Sequence, residues 1–370
     1  MSLTYEKYPL KPVINASGRM SILGVSTPSA GVAAAVQHGL SHYFEMQDLA
    51  DKTSAYLAGL LDVEGVALVS CASAGIAQAV AAVIVRDDPD LLVNLHARPV
   101  NGAREIVMAK GHNVNYGAPV ATMVALGGGK VVEAGWSNEC SAAQLAAAIT
   151  ADTAAVLYIK SHHAVQKSML SVAEAAEVAR SRQLPLIVDA AAEEDLAAYY
   201  RQGADLVIYS GAKAMEGPSS GLVLGRQPYV DWVRLQSRGI GRAMKIGKEG
   251  ILGLAQAVEE YLTRPKASGA SMAERLQPLL ARLDALPGVG ARVVWDDAGR
   301  DIARAEIAFD PARAGLDARA AAARLKAGSP AIYCREYRAN EGKLELDIRS
   351  VSDSQLAVIG DCIETLIKEH

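Results

Sequence analysis

The sequence has no apolar run long enough to span a bilayer. Stretches such as Ala79 to Val85 and Leu145 to Ile149 fall far short of the roughly 20 residues a spanning helix needs. It has no excess of positive charge either. A formal net charge of −4 and a pI near 6.0 give no basic field to attract nucleic acid or an anionic membrane, which points to a small-molecule ligand. Cysteine is scarce: Cys71, Cys140, Cys334 and Cys362 are scattered without a CxxC pair. That argues against a disulfide framework and a zinc site, and reads as reduced thiols in the cytoplasm. Residues Met1 to Lys7 lack the apolar segment of an export signal. These absences together describe a soluble cytoplasmic protein.

Hydrophobic residues make up 51% of the chain and charged residues 21%, the balance of a globular protein rather than a disordered one. At 370 residues the chain is long enough for two or three domains and a sizeable buried site. Short β-branched runs alternate with Ala-rich helical stretches, the pattern of βα units around a parallel sheet. Strands are expected at 66–69, 105–108, 130–133, 154–159, 186–188, 206–209 and 221–224. Helices are expected at 75–85, 141–149, 172–182 and 193–200. The strands are almost continuously apolar, so helices should cover both faces.

Past Tyr261 the pattern changes. Thr263-Arg264-Pro265-Lys266 breaks a helix, and an amphipathic stretch over 272–286 contains Pro278. Strand-like runs at 292–295, 305–309 and 343–348 follow, as in a small α+β domain. The expected organisation is an N-terminal segment over 1–48 that packs at the active site, a large α/β domain with a mostly parallel sheet over 49–262 and a small C-terminal α+β domain over 263–370.

Three groups at strand ends suggest pyridoxal 5'-phosphate (PLP) chemistry. This cofactor needs a lysine for its aldehyde, an acid against its pyridine nitrogen and donors for its phosphate. Open α/β sheets place ligands beyond the carboxyl ends of their strands. The run Asp205 to Tyr209 ends in Ser210-Gly211-Ala212-Lys213, which delivers a lysine to that crevice. Partial desolvation there lowers its pKa and favours a Schiff base, although the same position suits a surface lysine. Leu186-Ile187-Val188 ends in Asp189, suited to the pyridine nitrogen or, more simply, to capping a helix.

Val69 runs into Ser70-Cys71-Ala72-Ser73-Ala74-Gly75, small residues that open a helix whose N–H groups can receive an anion. Ser73, Ala74 and Gly75 are the phosphate candidates, with Ser210 a further donor. An ordinary tight turn would use the same small residues. His112 follows a strand and can stack on the cofactor ring, and His162 or His163 can serve as acid or base. The alternative is loop histidines with local hydrogen bonds, and no carboxylate or cysteine spacing suggests a metal. Arg19, Arg242, Arg335 and Arg349 are candidates for substrate anions, with Lys245 and Lys248 beside Arg242.

Ser210-Gly211-Ala212-Lys213-Ala214-Met215-Glu216-Gly217-Pro218-Ser219-Ser220-Gly221 resembles the lysine segment of the selenocysteine synthase-like branch of fold-type-I PLP enzymes. Arg242-Ala243-Met244-Lys245-Ile246-Gly247-Lys248 and Leu346-Asp347-Ile348-Arg349-Ser350 are similar to two further segments of that branch. Within it, residues 13–20, 160–167 and 188–195 look most like the D-glucosaminate-6-phosphate ammonia-lyases, and the likeness covers nearly the whole chain.

The resemblance implies Lys213 as the Schiff-base lysine, Asp189 as the pyridine partner, and a homo-oligomer with sites near subunit interfaces. It also implies an ammonia-lyase that converts D-glucosaminate 6-phosphate or a related hydroxy amino acid to a 2-keto product and ammonia. Two departures from selenocysteine synthase count against selenium transfer: no added N-terminal tRNA-contacting region, and Gly-Ala-Lys in place of Gly-Asp-Lys. A transferase, aldolase or racemase on the same scaffold, or a non-catalytic PLP-binding protein, are the rival readings.

Overall fold

The computed structural model describes residues 7–97, 102–161, 163–265, 267–296 and 301–369. Contacts divide the chain into two compact units, Met1–Thr27 together with Pro265–His370, and Pro28–Arg264. The division falls close to the expected boundary at 262/263. The expected segment over 1–48 is not a single piece, because its first part belongs with the C-terminal unit and its helix Ala30–Ser41 with the large one.

Strand β1 (Val13–Ala16) lies in the first of these units. The large unit is built on seven strands: β2 (Gly65–Val69), β3 (Glu105–Ala109), β4 (Lys130–Ala134), β5 (Thr153–Ile159), β6 (Leu186–Asp189), β7 (Leu206–Ser210) and β8 (Gly221–Gly225). They form one sheet in the order β2-β8-β7-β6-β5-β3-β4. All run parallel except β8, which is antiparallel to both neighbours. The sheet is therefore mostly parallel, as expected, with one antiparallel strand where the return after β7 brings the chain back alongside it.

Every residue of β5, β6 and β8 is buried. Such strands cannot face water on either side, and the helices divide accordingly. Ala72–Val85, Val120–Leu126 and Tyr229–Leu235 cover one face. Met46–Leu61, Ala142–Ala148, Val172–Ser181 and Lys248–Thr263 cover the other. Ala72–Val85 buries all twelve residues from Ala74 to Val85, so it is enclosed on all sides rather than amphipathic. Ser141 and Ser171 close capping boxes with Gln144 and Glu174, which fix where their helices begin.

The helix expected over 193–200 is reduced to Ala198–Arg201. Three tyrosine hydroxyls hold the preceding segment in an irregular path. Tyr199 bonds the Glu193 carboxylate at 2.6 Å, Tyr261 the Glu194 carbonyl at 2.6 Å and Tyr209 the Asp195 carbonyl at 2.9 Å.

In the smaller unit, β9 (Val289–Trp295), β10 (Ala303–Phe309) and β12 (Lys343–Leu346) form an antiparallel sheet in the order β12-β10-β9. Helices Gly269–Asp284, Ala318–Ala327 and Asp353–Lys368 pack in its core, the first continuing through Pro278. β11 (Ala331–Cys334) pairs in parallel with β1, from Val13 opposite Ala331 to Ala16 opposite Cys334.

Candidate active site

Because β2, β3, β5, β6 and β7 are parallel, their carboxyl ends share one edge of the sheet. That edge gathers Ser73, His112, Lys160, Asp189 and Lys213, each within a few residues of a strand end.

Lys213 lies in the connection between β7 and β8. Both sides of this loop are tied together: Gly211 N–H donates to the Ser220 carbonyl and Gly217 N–H to the Gly211 carbonyl, each at 2.8 Å. The Lys213 amide donates to the Ser210 carbonyl at 3.3 Å. Gly211 tolerates no side chain, since a Cβ there would lie 2.1 Å from Ser220 Oγ. Burial lowers the pKa of the lysine ammonium, and the Asp189 charge partly opposes this.

Asp189 closes β6 and is only 6% exposed. Its Oδ1 accepts from the Ala191 N–H at 3.1 Å, and no side chain among the described residues pairs with the carboxylate. Burial pushes its pKa up to about 6, against the opposing influence of the Lys213 cation and the Ala191 N–H. A buried carboxylate in this state is stabilised by any cation placed beside it.

Cys71 caps helix Ala72–Val85, its Sγ accepting from the Ala74 N–H at 3.4 Å, while the Gly75 N–H makes the first helical bond to the Cys71 carbonyl at 3.0 Å. This corrects the expected phosphate set. Ala74 and Gly75 have spent their N–H groups, whereas the amides of Ala72 and Ser73 remain open at the positive end of the helix. Gly75 serves packing instead: a Cβ there would lie 2.9 Å from Ile208 Cγ2 and 3.2 Å from Val223 Cγ2. Ser210 ends β7 opposite Gly221, half-buried, with its amide donating to the Ala191 carbonyl at 3.2 Å.

His112 is completely buried, unlike the open rim residue expected. Its Nε2 bonds the Val165 carbonyl at 3.1 Å, its Nδ1 accepts from the Ile159 N–H at 3.4 Å, and Tyr158 meets it edge-on at 4.5 Å. Those partners fix a neutral ring protonated on Nε2, and burial holds its pKa down to about 4. His163 is exposed, its amide donating to Ser161 Oγ at 3.3 Å. His162 lies outside the described residues. Lys160 Nζ donates to Gln166 Oε1 at 3.1 Å, closing the same loop.

Sequence reasoning missed Tyr116. Its hydroxyl is enclosed and makes no hydrogen bond of good geometry. Burial raises its pKa, the Ser73 side chain opposes this as a weak hydrogen-bonding neighbour, and the charges of Asp189 and Cys71 add to the rise. A tyrosine seven residues beyond β3, between Asn115 and Gly117, carries no local signal of this kind.

Arg242 is exposed on the short helix Ile240–Met244 of the large unit. Lys245 is exposed beside it. Lys248 is occupied, since its ammonium donates to the Leu40 and His42 carbonyls at the end of helix Ala30–Ser41. The other three arginines belong to the smaller unit. Arg349 grips Asp347 through Nε at 2.9 Å and Nη2 at 2.8 Å, and Arg335 meets Glu345 at 3.2 Å. Arg19 is half-buried beside Gly18.

With this geometry in place, comparison with known proteins is informative. Residues 64–281 match the family model described as L-seryl-tRNA selenium transferase. A D-glucosaminate-6-phosphate ammonia lyase of Salmonella typhimurium is 44% identical over 96% of this chain and 95% of its own length. A 5'-C-glycyluridine monooxygenase-decarboxylase of a Streptomyces species is 40% identical over 100% of this chain and 93% of its own.

A solved D-glucosaminate-6-phosphate ammonia-lyase structure superposes with a TM-score of 0.94 at 42% identity, covering 100% of this chain and 99% of that one. A NifS-like protein, at 14% identity and a TM-score of 0.58 over 98% of this chain and 100% of its own, shares the fold alone. The fold is that of the fold-type-I PLP enzymes, and the similar proteins are enzymes. The chain is thus an enzyme that belongs to the L-seryl-tRNA selenium transferase family.

Proposed function

We propose that this enzyme is a PLP-dependent ammonia-lyase that acts on D-glucosaminate 6-phosphate or a related hydroxy amino acid, releasing a 2-keto product and ammonia. The observation that carries the reading is the half-buried Lys213 and the buried Asp189, coupled at one sheet edge in a chain 44% identical to such a lyase.

The residues fit the cofactor. Asp189 is a buried carboxylate with no side-chain partner among the described residues, suited to a protonated ring nitrogen, and the helix at Ala72 and Ser73 offers two amides open among those residues to a phosphate. Lys213 would hold the aldehyde carbon, and Ser73 and Ser210 the phosphate. When bound, PLP supplies an electron sink that acidifies the hydrogen on the amine-bearing carbon of the substrate.

Burial lowers the pKa of Lys213 and so favours the free amine, the form able to remove that hydrogen. Asp189 keeps its negative charge at neutral pH once a cation lies beside it. His162 and His163 are proposed as acid or base toward the departing hydroxyl. His112 acts indirectly, its Nε2 bond to the Val165 carbonyl fixing the loop that carries them. Arg19, Arg242, Arg335 and Arg349 are proposed for the carboxylate and phosphate of the substrate. Cytoplasmic location and assembly as a homo-oligomer belong to the same proposal. No helix among the described residues is long and apolar enough to cross a membrane.

The test is ammonia and 2-keto acid release from D-glucosaminate 6-phosphate and a panel of hydroxy amino acids. Turnover is expected with the purified enzyme and PLP, and should vanish in Lys213→Ala. Borohydride should fix the cofactor to Lys213, read as added mass on its peptide. Release of neither product from any substrate would overturn the reading. The 40% identical Streptomyces relative favours a second one, oxidative decarboxylation of an amino acid side-arm, distinguished by oxygen uptake and carbon dioxide release.

A further inference from the structure

We infer that Tyr116 donates its hydroxyl to the cofactor phosphate, completing a cradle with Ser73 and the first turn of helix Ala72–Val85. The inference rests on the PLP reading above. Its starting point is an anomaly: a tyrosine hydroxyl enclosed by protein, yet without a hydrogen bond of good geometry. Native structures rarely leave such a group unmatched, and an unmatched one calls for a ligand.

Position identifies the ligand. The neighbours that bear on the hydroxyl are Ser73, on the first turn of the helix, and Cys71, its cap, with Asp189 acting at longer range through its charge. The amides of Ala72 and Ser73 are free at the same end, the Ala74 and Gly75 amides being bonded to Cys71. Open N–H groups, a hydroxyl and a helix of fourteen residues with its positive end toward them form a receptor for an anion. If Asp189 takes the ring nitrogen, the anionic end of the same molecule is the phosphate. Burial raises the pKa of Tyr116, so the hydroxyl keeps its proton and donates rather than repelling the dianion.

The loop is built to hold the residue there. Asn115 Oδ1 accepts from the Gly117 N–H at 2.9 Å, the Tyr116 amide donates to the Ala118 carbonyl at 3.2 Å, and the Val120 amide to the Val114 carbonyl at 3.0 Å. Gly117 occupies a left-handed conformation, φ 115°, which glycine adopts without strain.

The experiment compares wild type with Tyr116→Phe in equilibrium titrations followed by visible absorbance, using PLP and, separately, pyridoxal, which lacks the phosphate. Y116F should weaken PLP binding about tenfold or more and change pyridoxal binding less than about twofold. The thermal midpoint of the cofactor-free variant should change little, because the hydroxyl makes no hydrogen bond of good geometry and has the Ser73 side chain only as a weak neighbour. Equal PLP affinity in the two proteins would overturn the inference, as would equal losses for PLP and pyridoxal. Wild type that binds no PLP would instead overturn the cofactor reading itself.

Discussion

At the scale of single residues, the site sets two titrating groups against each other in the cofactor-free protein. Asp189 has a folded pKa of about 6, above its unfolded value near 4, so the folded state holds more protons and stability falls as pH rises between those values. His112, at about 4 against an unfolded 6.5, does the reverse: its contribution is lost as pH falls through the same region. Asp189→Asn removes only the first. The variant without cofactor should therefore be more stable than wild type at pH 7, by an amount on the order of 2 kcal/mol. Its stability should rise more steeply between pH 4 and 6.5, measured by urea unfolding at several pH values. Activity with PLP should drop roughly a hundredfold or more, because the charge proposed to face the ring nitrogen is gone. A flat comparison of the two pH profiles would show that Asp189 is not buried in its charged form.

Lys213 and Asp189 were legible because each ends an apolar run, and strand ends in a parallel sheet meet. Burial is not a local property of sequence. For that reason His112 read as a rim residue rather than an enclosed one, and Tyr116 did not stand out at all.

At the scale of elements, the helix that opens at Ala72 joins the site to the core. Its first turn faces the candidate phosphate position, while Gly75 lets it approach β7 and β8. Gly75→Val should cost about 1–3 kcal/mol through overpacking, seen as a lower urea midpoint, and should weaken PLP binding by displacing the Ser73 turn. Unchanged values for both would mean that the helix moves freely on the sheet.

Hydrophobic runs marked the seven strands of the large unit almost to the residue, since most are buried on both faces and only the edge strand β4 is largely open. Direction was harder. The antiparallel course of β8 follows from the short return through Gly211 and Gly217, which a pattern of apolar runs does not encode. The segment over 190–197 escaped for a related reason. Its composition suits a helix, but bonds from Tyr199, Tyr209 and Tyr261 outcompete helical ones.

At the scale of the whole molecule, the smaller unit is discontinuous in sequence, with β1 from one end of the chain paired to β11 from the other. No local signal reveals a partner that distant, and the sequence pattern accordingly assigned the first 48 residues to a separate segment. Ile14 and Ala16 are buried in this unit, and the Ala16 carbonyl accepts the Asp347 N–H at 2.8 Å. Deleting residues 1–16 should lower the thermal midpoint by roughly 4 °C or more, and calorimetry would detect it. An unchanged midpoint would make β1 dispensable.

The β1–β11 pairing also bears on the order of events during synthesis. The partner of β1 is translated roughly three hundred residues after it, an interval of about 15–60 s at ordinary elongation rates. The whole of Pro28–Arg264 is made within that interval and can fold first. Until β11 arrives, β1 is a nascent strand with an unsatisfied edge, the kind of segment that chaperones bind and that pairs wrongly between neighbouring chains on a polysome.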